Sequence, residues 1–83
     1  MSITILYFAS LREALGVERE QLDLPKGIGS VTALRAWLVA RGSQWQPLSA
    51  PRVRAAVNQT LATEAAAVSD GDEIAFFPPV TGG

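Results

Sequence analysis

The chain predicts an α+β domain in which one mixed sheet packs on a single main helix. Runs rich in β-branched and aromatic residues stand near its start and its end, and one clear amphipathic stripe lies between them. Gly, Pro, Asn and Asp punctuate the intervals. With 83 residues there is room for one small domain, and neither an internal repeat nor a shift of composition suggests a linker.

Ile3-Thr4-Ile5-Leu6-Tyr7-Phe8 is apolar on both alternating faces, the pattern of a central strand covered on both sides. Ser10 is placed to cap a short helix that carries Leu11 and Leu15 on one face, Glu13 in its first turn and Gly16 at its stop. Val17 to Leu24 reads as a second strand with charges on its exposed face, and Pro25, Gly27 and Gly29 end it in a loop. Ser30 then caps the main helix. Its stripe is Val31, Leu34, Leu38 and Arg41, with Trp37 beside it and Gly42 at the stop. Residues 43 to 52 read as an irregular connection, with Trp45 and Leu48 folded back onto the core. Val53, Ala55 and Val57 alternate with Arg54, Ala56 and Asn58 as in a strand, and Asn58-Gln59 is expected to turn the chain, as a hairpin or tight corner, into a second extended piece from Thr60 to Thr63. After the turn Asp70-Gly71-Asp72 comes a last strand, Glu73 to Phe77, stopped by Pro78-Pro79 because neither proline can donate to a ladder.

Composition removes whole classes of chemistry. The chain has no Cys and no His, hence no disulfide, no thiolate or imidazole ligand for zinc, and no Cys or His for nucleophilic or acid-base work. Seven basic against eight acidic residues leave a net charge of -1, without the basic field that nucleic acid or an anionic membrane requires. Partners are expected to be proteins or small molecules. The longest uncharged stretch, Met1 to Leu11, falls far short of the about 20 residues of a membrane span. No signal-peptide pattern leads it, so a cytoplasmic location is expected. Arg12, Arg35, Arg41, Arg52 and Arg54 read as solvated charges, and Asp70, Asp72 and Glu73 as a turn rather than a cation site. Lys26 is the single lysine.

The most informative residues are Val80-Thr81-Gly82-Gly83, an uncharged tail behind two prolines. Pro78 and Pro79 stiffen its root, while Gly82 and Gly83 lack a Cβ and can thread a narrow slot. A domain over residues 1–79 and a flexible reactive tail over 80–83 are therefore expected.

Three stretches carry a family likeness: Tyr7-Phe8-Ala9-Ser10-Leu11-Arg12-Glu13, Ala56-Val57-Asn58-Gln59-Thr60-Leu61, and DGDEIAFFPPVTGG from Asp70 to Gly83. They resemble the sulfur-carrier small subunits of molybdopterin synthase, which have the ubiquitin-like β-grasp fold. The resemblance implies that Gly83 is the working residue of a non-catalytic, sulfur-donating subunit, with Gly82 beside it. An adenylating enzyme would use ATP to activate the Gly83 carboxylate, and a persulfide donor would convert it to a thiocarboxylate. The tail, with Val80 and Thr81, would then enter a large catalytic subunit and give sulfur to cyclic pyranopterin monophosphate. Two of each subunit are implied, and no bound cofactor or metal. Phe8, Leu61 and Phe77 match family positions that contact these partners, and alternation turns Phe77 away from the core if Ile74 and Phe76 face it. Arg12, in a family-like stretch, is placed to reach a partner. The rivals are a thiamine-pathway or other sulfur carrier, and a ubiquitin-like binding module that is never activated.

Overall fold

A computed structural model describes residues 2–78. In β1 (Ser2–Tyr7), Ile3, Ile5 and Tyr7 are buried, while Ser2, Thr4 and Leu6 on the other side are half-buried. The strand is interior, as expected, but only one of its faces is covered. Its apolar residues on both sides concealed that asymmetry. The chain then turns at once through Ala9, at a φ of 52°, into α1 (Ala9–Leu15). Phe8 therefore takes the N-cap position expected for Ser10, without a side-chain hydrogen bond, and Glu13 falls outside the first turn. Gly16 ends the helix as predicted: at a φ of 71° it adopts the left-handed form natural to glycine, and its N–H donates to the Arg12 carbonyl.

β2 (Arg19–Asp23) alternates half-buried and exposed residues. α2 (Val31–Val39) starts where the sequence places it, with Ser30 Oγ accepting from the Ala33 N–H at 3.1 Å. It ends at a right-handed Ala40, two residues before Gly42. The expected irregular connection is instead a 3₁₀ helix over Ser43–Ser49. With three residues per turn, such a helix sets Trp45 and Leu48 on one side. Leu48 is fully buried and Trp45 half-buried, its ring centroid 5.9 Å from that of Tyr7.

β3 (Arg54–Val57) and β4 (Thr60–Ala62) form a hairpin about Asn58-Gln59, where the sequence allowed a hairpin or a tight corner. Asn58 and Gln59 both take positive φ, 51° and 69°, as the primed turn that matches strand twist requires. Gly71, at a φ of 89°, then leads through the Asp70–Asp72 turn into β5 (Glu73–Phe77).

The sheet runs β2-β1-β5-β3-β4, with β1 and β5 parallel and every other pair antiparallel. It is the mixed sheet expected, with β5 rather than β1 at its middle. Ile3, Ile5, Tyr7, Ile74, Phe76 and Ala55 meet Val31, Leu34 and Leu38 of α2, Leu11 and Leu15 of α1, and Leu48 in one core. Each fully buried Leu, Ile or Phe there is worth about 1.5–3 kcal/mol relative to exposure. No helix among the described residues is long and apolar enough to cross a membrane.

Two arginines expected as solvated are built into this core's margins. Arg35 donates to the carbonyls of Leu48 and Val53, each at 3.0 Å, pairs with Glu64 at 2.6 Å and lies over the Phe76 ring. Arg41 makes two hydrogen bonds to Glu20, at 3.0 and 2.8 Å, and stacks 3.8 Å from the Trp45 centroid. Their partners stand 29 and 21 residues away in sequence, beyond any local spacing rule.

Candidate functional site

The face of the sheet turned away from the helices carries Phe8, Leu61 and Phe77, three of the residues singled out by sequence. Register builds it row by row. Leu6 pairs with Arg19 on one side and Ala75 on the other, Ala75 pairs with Ala56, and Ala56 pairs with Leu61. Directly paired residues point to the same face. Leu6, Ala75, Ala56 and Leu61 therefore form one apolar line across four strands, at the end of which Leu61 is 67% exposed.

A second row lies nearer the tail. Phe8 is extended and its N–H donates to the Phe76 carbonyl, so it prolongs the β1–β5 ladder by one step beyond the pair Tyr7 and Phe76. That step sets Phe8, 46% exposed, beside the half-buried Phe77, and Phe77 in turn pairs with Arg54. Arg12 is exposed one helical turn beyond Phe8, and its N–H bonds back to the Phe8 carbonyl. The half-buried Pro78 follows at the root of the tail. Pro79, Val80, Thr81, Gly82 and Gly83, named as site residues from the sequence, lie outside the described residues.

Phe8, Leu61 and Phe77 thus occupy one face of the sheet, with Arg19 and Arg54 among the apolar residues, while Arg12 stands exposed on α1, close to Phe8 in sequence. Such an apolar centre flanked by charge is the make-up of a protein interface. The sequence reading missed Leu6, Ala56 and Ala75; carrying the alternation back from Phe8 and Phe77 by two residues would have found Leu6 and Ala75.

The opposite face holds a polar cluster of Tyr7, Glu20 and Arg41. The Tyr7 hydroxyl, on a side chain 1% exposed as a whole residue, donates to Glu20 Oε2 at 2.6 Å. Burial first, then the Glu20 hydrogen bond and charge, push the phenol far above its ordinary value of 10.0. Burial acts against the Glu20 carboxylate, but hydrogen bonds from Arg41 and Tyr7 and the Arg41 charge outweigh it and hold the group below 4.5. The three side chains are locked in one protonation state near neutrality, which makes them a brace. Asp72 serves the turn, as read: its Oδ2 accepts from the Ser69 N–H and its Oδ1 from Asn58, while Asn58 Oδ1 accepts from the Glu73 N–H. Among the described residues no group of His, Cys, Asp and Glu could hold a metal ion.

A model of the ThiS family matches residues 5–83. The molybdopterin synthase sulfur carrier subunit of Haemophilus influenzae is 43% identical over 82 residues, spanning 98% of this chain and 99% of that one. Among solved structures, SAMP1 of Haloferax volcanii superposes with a TM-score of 0.79 at 27% identity, over 100% of both chains. A structure of subunits 1 and 2 of the molybdopterin-converting factor of Helicobacter pylori in complex gives 0.66 at 23% identity, again over 100% of each chain, a likeness of fold.

Proposed function

The chain belongs to the ThiS family, and from that premise we propose that it is the sulfur carrier of a molybdopterin synthase. Its fold is the ubiquitin-like β-grasp expected from the sequence. The observation that carries the reading is 43% identity to a molybdopterin synthase sulfur carrier subunit over nearly the full length of both chains. The outer face of the sheet supports it: a carrier that must visit several enzymes needs a docking surface, and Phe8, Leu61 and Phe77 offer one.

In this reading residues 1–79 are the docking domain and 80–83 the reactive tail. The Gly83 carboxylate is a poor electrophile, so an adenylating partner joins it to the α-phosphate of ATP and releases pyrophosphate. The acyl-adenylate then loses AMP to the outer sulfur of a persulfide, and cleavage of the S–S bond by a thiol reductant leaves a thiocarboxylate on Gly83. That sulfur is a nucleophile. The tail delivers it inside the large subunit to cyclic pyranopterin monophosphate, and two carriers in turn supply the two sulfurs of the dithiolene. Gly82 and Gly83 keep the tail thin enough to enter both partners, Pro78 and Pro79 aim it, and Val80 and Thr81 line its path. The large subunit and the carrier assemble two by two. Dependence on ATP supports a cytoplasmic location. The absence of Cys and His from the chain supports a division of labour in which the partners supply acid, base and sulfur relay.

Intact mass tests the proposal. The chain is incubated with ATP, a sulfur donor and extract of its host, beside a form lacking Gly83. A gain equal to exchange of one oxygen for sulfur, confined to the form with Gly83, is the expected result. No gain in an extract that sulfurates a known carrier would overturn the proposal in favour of an unactivated binding module.

A further inference from the structure

β2 is the outermost strand on one side of the sheet, and the ladder it forms with β1 decides which of its backbone groups are free. The Tyr7 N–H donates to the Glu18 carbonyl at 3.0 Å, and in an antiparallel pair the residues that exchange hydrogen bonds alternate. Glu18, Glu20 and Leu22 therefore turn their N–H and C=O groups to β1, opposite Tyr7, Ile5 and Ile3. The far side of β1 agrees. Thr4, which stands opposite Gln21, gives its N–H to the Asp72 carbonyl instead. Arg19, Gln21 and Asp23 are thus left with their backbone groups aimed away from the sheet, and all three are exposed. Among the described residues neither Arg19 nor Asp23 has an ion-pair partner.

An open edge is commonly protected by charge, most often lysine, which repels a second copy of itself. The charges of β2 do the reverse. Arg19 and Asp23 lie symmetrically about Gln21 on the outer face, so a two-fold axis through Gln21 sets Arg19 of each copy opposite Asp23 of the other. The same axis brings the three outward-aimed residues of each strand into hydrogen-bonded pairs. On the inner face Glu20 meets the half-buried Leu22 and Glu18 meets Leu24, so no like charges are opposed. Sliding one strand by two residues in either direction breaks both charge pairs, and one direction sets Arg19 against Pro25, which has no N–H to donate. Charge and backbone parity thus select one register.

We propose that the β2 edge binds a second copy of this chain, antiparallel and centred on Gln21, joining two five-stranded sheets into one through two Arg19–Asp23 pairs. The contact is isologous and closes at a dimer. A five-residue edge is small beside the about 1,200 Å² of a stable interface, so the dimer is weak and forms at high concentration. β1 separates β2 from β5, which leaves Phe77 and Leu61 open in both copies. The proposal rests on strand order and charge and does not depend on the carrier role.

Sedimentation equilibrium of the full chain at low salt, up to millimolar concentration, should show a monomer–dimer equilibrium that added sodium chloride weakens. On dilution, amide shifts of the nitrogen-15-labelled chain should centre on residues 17–24. Arg19→Glu and Asp23→Lys each oppose like charges twice and should weaken association at least about tenfold. An equimolar mixture of these two variants should restore it, because the changed residues then face each other with opposite sign. Arg12→Glu, which changes the net charge as Arg19→Glu does, should dimerise like the parent. Amide spectra verify that each variant is folded. A parent that stays monomeric, a mixture that does not recover, or association lost equally in Arg12→Glu would overturn the proposal. Association kept in Arg19→Glu but lost in Leu61→Asp would also overturn it, and would assign the dimer to the outer face of the sheet.

Discussion

At the scale of single residues, Glu20 does the most for its size: one carboxylate receives the Tyr7 hydroxyl and both arms of Arg41, and so joins β1, β2 and the end of α2. Its acidity is held below 4.5, so the folded state binds its proton less readily than the unfolded state. The stabilisation is therefore complete above the ordinary carboxylate value and is lost as pH falls through the depressed one. Glu20→Gln should cost about 1–2 kcal/mol near neutrality, the worth of a charge-assisted hydrogen bond. Urea unfolding of parent and variant should show that difference at about pH 7 and see it shrink towards about pH 3, as the parent's carboxyl protonates. A constant difference across that range would assign the effect to packing instead. None of this network is legible in the sequence, where Glu20 and Arg41 look like two more surface charges. Their identity as a pair exists only once the 20 intervening residues have folded back.

At the scale of elements, the hairpin between β3 and β4 is the clearest case of local chemistry prevailing, and it carries a residual strain. Asn tolerates a positive φ, but Gln59 holds 69° with a long side chain. Gln59→Gly should raise stability by about 0.5–1 kcal/mol, since Asn-Gly is the preferred pair for a primed turn. A higher urea midpoint with an unchanged slope would be the measured sign. The proposed docking face is the second element-scale consequence. Phe77→Ala should weaken binding to the large subunit by more than about 1 kcal/mol, measured by calorimetry. Equal affinities would remove Phe77 from the interface, and the melting curve of the variant separates lost contact from lost fold. Strands and caps were readable here because their signals are short-range: alternation in β5, Ser30 before α2, Gly16 after α1. The 3₁₀ helix was not, because its three-residue repeat matches neither template and Pro47 inside it suggests a break.

At the scale of the whole molecule, the α+β class followed from the order of patterns, whereas the strand order β2-β1-β5-β3-β4 could not. Which strand lies beside which depends on contacts between distant segments, and nothing in a period of two names its neighbour. The most distant of these pairings sets β1 against β5, so Thr4 to Tyr7 lie beside Glu73 to Phe76. Contacts of such long sequence separation form late and slowly, because the intervening loop must close first. Phe8 and Phe77 meet only through that pairing. The surface a partner would grasp is thus assembled from opposite ends of the described chain, and an unfinished or misfolded copy does not present it. In the proposed role, recognition of this face would double as an inspection step: an activating enzyme that bound it would commit ATP only to chains whose sheet has already closed.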